Sequence, residues 1–163
     1  MPERTRMKNH KFWCVCLVSL LLSLDGCERD AVKTQSNNFT KIKMAAEAGE
    51  PMAQCNLGLL YLNGFEVPQD DKKAAIWFRA AAEQGNAYAQ RCLSLAYLTG
   101  RGVPKDEIES YAWLTLSAAG GDDTSVNALR YAEDRRSADQ LLEAKAKAGE
   151  YLRKYGSGNV EPR

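Results

Sequence analysis

The chain has 163 residues, of which 45% are hydrophobic and 26% are charged, and its formal net charge is +1. This composition is that of a packed globular protein of about one domain, and it excludes an intrinsically disordered chain. Because neither sign of charge is in excess, the charge balance gives no indication of a nucleic-acid partner.

The N-terminal segment has the pattern of a secretory signal. Four basic residues within the first eleven precede an apolar run, residues 12–24. As a helix this run would reach only ~20 Å, short of the ~30 Å hydrocarbon core of a bilayer, so export is predicted. The four residues from Leu24 to Cys27 resemble a bacterial lipobox, which implies a signal peptide over residues 1–26 and lipidation of Cys27. Ordinary export, an uncleaved anchor and no export stay open as alternatives.

Cleavage before Cys27 would change the chemistry that the chain can carry. His10 is the only histidine, and it lies within the predicted signal. Without a histidine, nucleophilic sites that use histidine as the base and histidine metal sites are excluded. The chain also shows no glycine-rich phosphate loop. The sequence therefore predicts no catalytic residue, no cofactor and no metal site, and a protein that is not an enzyme.

Residues 27–37 form a predicted polar tether, and residues 38–154 are predicted to form a helical repeat. Aligned without gaps, residues 49–84 and 85–120 are identical at 13 of 36 positions, where roughly two or three matches would arise by chance. Apolar positions recur every four residues in each copy, which places them on one side of a helix. In the first copy these positions are Ala53, Leu57 and Tyr61.

A Val-Pro-x-Asp motif follows each of these first helices and predicts a turn and a second helix. Asp70 and Asp106 are placed to cap the N-terminus of the second helix. Glu109, three residues after Asp106, is placed to reach back in a capping box. The second helices carry Trp77 and Trp113 at equivalent positions, and both are predicted to lie in the core.

The pattern A-x-A-Q-x-x-L-G-x-x-Y-x-x-G, followed by V-P-x-D and A-x-x-W, resembles the Sel-one-like repeats of the tetratricopeptide-like solenoids. The resemblance implies an all-α fold, an α-solenoid of antiparallel helix hairpins. A C-terminal capping helix, opened by a Ser137-to-Gln140 capping box, is predicted within residues 121–154, and residues 155–163 are predicted to be a mobile tail. Glu66 departs from the pattern, since the second copy has Gly102 there; a positive φ would cost Glu66 about 1 kcal/mol.

The exposed side of each first helix is the predicted protein-binding surface, because in this superfamily the first helices line the long curved surface of the solenoid. Taking Leu57 as the centre of the buried stripe, the residues that face away from it, or from its counterpart in the second copy, are Met52, Cys55, Asn56, Leu59, Asn63, Tyr88, Arg91, Cys92, Leu95 and Thr99. The alternative for Leu59 and Leu95 is that they pack one repeat on the next.

The sequence therefore predicts a non-enzymatic protein-protein interaction module that scaffolds or regulates an envelope or periplasmic partner. Glu28 follows Cys27, and resemblance to enterobacterial-type sorting favours the outer membrane, with the chain facing the periplasm. A periplasmic immunity protein that neutralises a secreted toxic effector is the alternative that the resemblance suggests. A β-lactam-binding or hydrolysing protein is a further alternative, but the cysteine-rich family members pair two cysteines within each repeat. Each repeat here has one, Cys55 or Cys92, and a bridge between these two stays open.

Overall fold

The computed structural model describes residues 38–156, and within that range it consists of seven α-helices and no strand. In chain order the helices are α1 (38–47), α2 (Pro51–Asn63), α3 (Asp71–Glu83), α4 (Ala87–Thr99), α5 (Glu107–Ala119), α6 (Asp123–Asp134) and α7 (Ala138–Tyr155). Each helix from α2 to α5 packs on the next one along the chain, and α7 packs along α5. The predicted all-α solenoid of helix hairpins is confirmed. The predicted signal, Cys27, the tether and residues 157–163 lie outside the described residues.

The loop after each first helix repeats in detail. The helices α2 and α4 end at Gly64 and Gly100, with φ of 70° and 73°, a left-handed conformation that favours glycine. The Asp70 carboxylate then accepts a hydrogen bond from the amide of Lys73 at 3.0 Å, which caps α3. Asp106 caps α5 in the same way. Both predicted N-caps are therefore present.

The predicted capping box at α5 is wrong in its second half. The Glu109 side chain does not reach back to Asp106, since it accepts a hydrogen bond from the Tyr151 hydroxyl at 2.7 Å. Lys147 also lies 3.7 Å from the Glu109 carboxylate. The carboxylate is therefore used to fasten α7 to α5, a long-range contact that spacing along one helix could not indicate.

Buried glutamines join each second helix to the first helix of the next unit. The Gln54 amide donates to the Ala46 carbonyl at 3.3 Å, and 36 residues later the Gln90 amide donates to the Ala82 carbonyl at 3.0 Å. Both side chains are buried. Because the two bonds are equivalent, α1 occupies the place of a second helix in a preceding unit, and it closes the N-terminal cluster around Leu57.

The two tryptophans differ in burial, although the sequence predicts the same core position for both. Trp113 is 1% exposed, and its ring contacts those of Tyr151 and Tyr155, with centroids 4.9 and 5.3 Å away. Trp77 is only half-buried, at the edge of the N-terminal cluster. The prediction of a core position is thus right for Trp113 and only partly right for Trp77. The difference arises because α7 covers Trp113.

The C-terminal unit keeps the helices of the repeat and loses its loop. The helix α6 ends at Asp134, and α7 opens after Ser137 with the predicted capping box, in which Gln140 exchanges hydrogen bonds with Ser137. Tyr155 is the last residue of α7, so the helix runs one residue into the segment that was predicted to be the tail. Over residues 38–156, none of the helices has both the length and the apolarity that a membrane crossing requires.

Candidate functional site

A groove opens between α4, α5 and α6, at the junction of the second repeat with the C-terminal unit; it is called the open groove below. Its volume is about 510 Å³. Leu95 is 58% exposed and Tyr131 is 62% exposed, so apolar surface faces solvent from both α4 and α6. The lining residues are Arg91, Ser94, Leu95, Leu98, Glu107, Ser110, Tyr111, Leu114, Ala128, Tyr131, Ala132, Arg135 and Arg136.

A second groove lies in the same place at the preceding junction, between α2, α3 and α4; it is called the closed groove below. Its volume is only about 60 Å³. Nine of its ten lining residues have a counterpart 36 residues later in the open groove. The pairs are Leu62 and Leu98, Asp71 and Glu107, Ala74 and Ser110, Ala75 and Tyr111, Phe78 and Leu114, Cys92 and Ala128, Leu95 and Tyr131, Ala96 and Ala132, and Thr99 and Arg135.

The chain's own side chains explain why only one groove is open. In the first repeat the Phe78 ring lies so close to α2 that a Cβ at Gly58 would meet it at 2.7 Å. The second repeat has Leu114 in place of the ring, and it has Ser94 in place of the glycine. The Ser94 hydroxyl lies 3.1 Å from that of Ser110. Ser94 and Ser110 are larger than Gly58 and Ala74, so the space at the second junction comes from Leu114, which is smaller than the Phe78 ring.

The open groove carries an excess of positive charge. Of its three arginines, Arg91 is neutralised by Asp122, with Nε 2.7 Å from the carboxylate. Among the described residues, neither Arg135 nor Arg136 forms a salt bridge with a carboxylate. The one acidic lining residue, Glu107, is paired with Lys105 at 3.0 Å.

The two unneutralised arginines are held in different ways. Arg136 donates to the Ala132 and Glu107 carbonyls at 2.9 and 3.1 Å. It therefore ties the turn between α6 and α7 to the start of α5. Arg135 is exposed and donates to the Tyr131 hydroxyl, with its guanidinium over the Tyr131 ring. Since Tyr131, a neutral residue, is its only side-chain partner among residues 38–156, the donors of Arg135 can turn to an anion without breaking a salt bridge there.

A buried polar network fixes the α4 edge of the open groove. The Ser125 hydroxyl donates to the Asp122 carboxylate at 2.6 Å. Partial burial opposes the charged form of Asp122, but the Ser125 hydrogen bond and the Arg91 charge outweigh it and hold the pKa of Asp122 below its usual value. The guanidinium of Arg91 also lies 4.6 Å from the centre of the Tyr88 ring. Arg91 is thus held in place and is half-buried.

The structure separates the ten residues that were predicted to form the binding surface. Six of them are exposed: Met52, Asn56, Asn63, Tyr88, Leu95 and Thr99. Cys55 is 2% exposed and belongs to the core cluster, so a partner on this surface cannot reach it. Leu59 and Cys92 are half-buried against the same cluster, as the alternative of packing between repeats predicts for Leu59. Arg91 and Leu95 line the open groove.

Sequence reasoning missed the α6 side of the open groove. Tyr131 and Arg135 stand 36 residues after Leu95 and Thr99, two residues that were predicted as surface positions. Carrying the same register one unit further would have found both. Because the Val-Pro-x-Asp motif is missing after α6, residues 121–154 were predicted to be the cap, and no binding residue was predicted among them.

The two cysteines are free thiols in a setting that suppresses nucleophilic chemistry. Burial raises the pKa of Cys55 to about 11, and burial with the nearby Cys55 raises that of Cys92 to about 12. At neutral pH both are therefore overwhelmingly protonated, and the thiolate is the reactive form. Within residues 38–156, His, Cys, Asp and Glu side chains nowhere gather in a group of three or more that could hold a metal ion.

Comparison with known proteins agrees with this architecture. The model of the Sel1 repeat family matches residues 51–86 and 87–122, with the predicted period and a shift of two residues. The crystal structure of c5321, a protective antigen of uropathogenic Escherichia coli strains with an SLR fold, is similar over 77% of this chain, with 32% identity and a TM-score of 0.68. A Sel1 repeat protein from Oxalobacter formigenes is similar over 55% of this chain, with 43% identity and a TM-score of 0.54.

These similarities cover 29% and 26% of the two solved chains, so this chain spans less than a third of the length of either. No curated protein is significantly similar to this chain.

Proposed function

Since residues 51–122 are two Sel1 repeats, and such repeats mediate protein-protein interaction, we propose that this chain is an interaction module anchored by a lipid on Cys27 in the bacterial envelope. It holds or regulates a partner protein at the periplasmic side of the outer membrane. The open groove is the observation that carries the proposal, because an exposed apolar groove with a few polar groups is the usual form of a binding site.

The N-terminal sequence supports the location. The apolar run and the lipobox-like residues before Cys27 are those of an exported lipoprotein. More than one acyl chain anchors a protein stably, whereas a single chain gives only marginal binding. A tether of eleven residues, 27–37, can span at most about 35 to 40 Å, which would keep the module close to the membrane surface.

Capture from envelopes tests the proposal. The full acylated chain, crosslinked in detergent-solubilised envelopes, is expected to retain a specific protein, and Leu95→Asp is expected to abolish that capture because it places a charge in the open groove. Leu142→Asp is the matched control, since Leu142 is an exposed leucine of α7 that does not line the groove. Identical capture by the parent chain and both variants would contradict a specific interaction at this groove.

The identity of the captured protein separates the two roles that the sequence leaves open. A resident envelope protein supports a scaffold or regulator. A secreted toxic effector, whose toxicity the chain relieves, supports an immunity protein.

A further inference from the structure

We propose that the open groove binds a segment of a partner protein in which a carboxylate side chain is flanked by apolar side chains. The proposal rests on the function proposed above and specifies the chemistry of the partner. Of the two junctions, only the second combines apolar walls with arginines that no carboxylate of the described residues neutralises, and this combination carries the inference.

The apolar part of the groove gives a partner its burial energy. Leu95 and Tyr131 are exposed on opposite sides, and Leu98 is also exposed beside Leu95. A cavity of about 510 Å³ lies between them, large enough for a few side chains and too small for a folded domain. Removing these side chains from water on binding is favourable in proportion to the area covered.

The cationic part gives selectivity. Arg91 and Glu107 are neutralised by Asp122 and Lys105, so the net charge that remains at the groove is that of Arg135 and Arg136. Arg135 donates only to a phenol, and its planar guanidinium can bind a carboxylate through two parallel hydrogen bonds. An acidic side chain is therefore favoured at the α6 edge, and a basic one is repelled.

The closed groove is an internal comparison. At the position of Arg135 it has Thr99, and at the position of Tyr131 it has Leu95. Its one arginine, Arg101, is paired with the Asp71 carboxylate at 2.8 Å, so it lacks an unneutralised cation, and Phe78 lines it in place of Leu114. Space and charge have changed together at the second junction, as a binding site for an acidic apolar segment requires.

A protein segment fits the groove better than a phosphate group. Phosphate is bound where several donors converge, whereas Arg136 is held by hydrogen bonds from both of its Nη atoms to backbone carbonyls. The remaining lining is largely apolar and would stay wet beside a bound phosphate. A peptide uses both parts of the groove.

Binding of short synthetic peptides tests the chemistry. The probe is a fluorescein-labelled peptide that alternates leucine and glutamate, and the comparison peptides alternate leucine with glutamine, leucine with lysine, and serine with glutamate. With the full chain in mild detergent, we expect the leucine-glutamate peptide to bind at least about tenfold more tightly than the others, because it alone supplies both the charge and the apolar area. Equal affinity for the leucine-glutamine peptide would overturn the role given to the carboxylate.

Charge reversal on α6 locates the contact. Arg135→Glu is expected to weaken binding of the leucine-glutamate peptide by at least about tenfold. Arg130→Glu is the matched control, because Arg130 is an exposed arginine of α6, the helix that ends just before Arg135, and does not line the groove. Equal losses from both variants would mean general charge attraction and would overturn the site. Competition by inorganic phosphate or anionic vesicles in place of peptide binding would overturn the choice of a protein partner.

A variant that copies the first repeat tests the cavity itself. Ser94→Gly, Ser110→Ala and Leu114→Phe together give the second junction the residues that already pack at the first, namely Gly58, Ala74 and Phe78. We expect unchanged helicity and at least about a tenfold loss of peptide affinity. Full affinity in the folded variant would overturn the proposal. Should peptide binding fail while envelope capture persists, the interaction function stands and the occupant assigned to this groove is wrong.

Discussion

Glu66 and Gly102 occupy equivalent positions in the two loops, and both have positive φ, 61° and 75°. Their surroundings differ. A Cβ at Gly102 would lie 2.0 Å from the Asp71 carbonyl, because the second loop docks on the start of α3, where Arg101 pairs with the Asp71 carboxylate at 2.8 Å. Glu66, in contrast, is exposed. At position 66 the only argument for glycine is therefore the positive φ. At position 102 glycine is required both by the positive φ and because a Cβ would have no room.

This difference gives a paired stability prediction. Glu66→Gly should raise the free energy of unfolding by up to about 1 kcal/mol, since it removes an unfavourable φ. Gly102→Ala should lower it by more than about 2 kcal/mol, because strain and overpacking add. Urea denaturation followed by circular dichroism measures both. A smaller loss for Gly102→Ala than the gain for Glu66→Gly would contradict the docking of the second loop.

Asp122 should make stability depend on pH in the acid range. Its pKa is lower in the folded chain than the unfolded value of about 3.9, so folding favours the carboxylate. The contribution is complete above pH ~4 and is lost as the pH falls through the folded pKa. Asp122→Asn should cost about 1–3 kcal/mol at neutral pH and should flatten the decline of the unfolding midpoint between neutral pH and pH ~3. If the unfolding midpoint of the variant depends on pH as that of the parent chain does, the acid sensitivity comes from other carboxylates.

Whether a contact could be predicted depends on how far apart its two residues lie in the sequence. The caps at Asp70 and Ser137 depend on neighbours three residues away, and the sequence predicts them correctly. Glu109 bonds to Tyr151 across 42 positions, and Arg91 bonds to Asp122 on another helix. Neither partner is visible in the spacing. Because Arg91 is paired with Asp122, reversing its charge would disturb the fold as well as any bound partner.

At the scale of elements, α7 determines how the last complete hairpin is covered. Its Tyr151 and Tyr155 rings enclose Trp113, and the Tyr151 hydroxyl is bonded to Glu109 on α5. The helix α1 covers the other end with the smaller side chains of Ala46 and Ile42 and with Phe39. The two ends of the repeat array are thus covered unequally, by two tyrosine rings of α7 at one end and by one phenylalanine with smaller side chains of α1 at the other.

The inequality predicts unequal costs for truncating the tryptophans. Trp113→Ala should destabilise by about 3 to 5 kcal/mol, the range for a large core side chain. Trp77→Ala should cost less, about 1–2 kcal/mol, because the side chain is already half in water. Unfolding by urea, read by circular dichroism, compares the two directly. Equal costs would show that α7 adds little to the packing of Trp113.

The helices themselves could be predicted because each one depends on a local repeat of apolar positions. The open groove could not, because it arises where the pattern fails: α6 keeps the register and loses the loop that follows. A departure from a repeat shows in the sequence as a missing motif. Whether it leaves a void, a clash or a site depends on side-chain volumes such as those of Phe78 and Leu114, and these act across helices.

At the scale of the whole molecule, the proposed lipidation of Cys27 would hold the groove at a membrane. We expect Cys27→Ser to abolish incorporation of radiolabelled palmitate and to release the chain from membranes, because the acylated thiol is the proposed anchor. Cys55→Ser is the matched control, since that thiol is buried in the core. Labelling that persists in Cys27→Ser would refute lipidation at this residue.

The two grooves are equivalent in position and differ in their interior residues. Substitutions in the interior could therefore change the number of proposed binding sites without adding a helix. Phe78→Leu combined with Gly58→Ser and Ala74→Ser would give the first junction the interior residues of the second, and we expect another cavity one repeat away. Two such cavities on a rigid array would favour ligands that present two motifs at matching separation, since the second contact then forms at high effective concentration. If the proposed function holds, divergence after duplication can thus convert a single-site adaptor into a bivalent one through three substitutions in its interior.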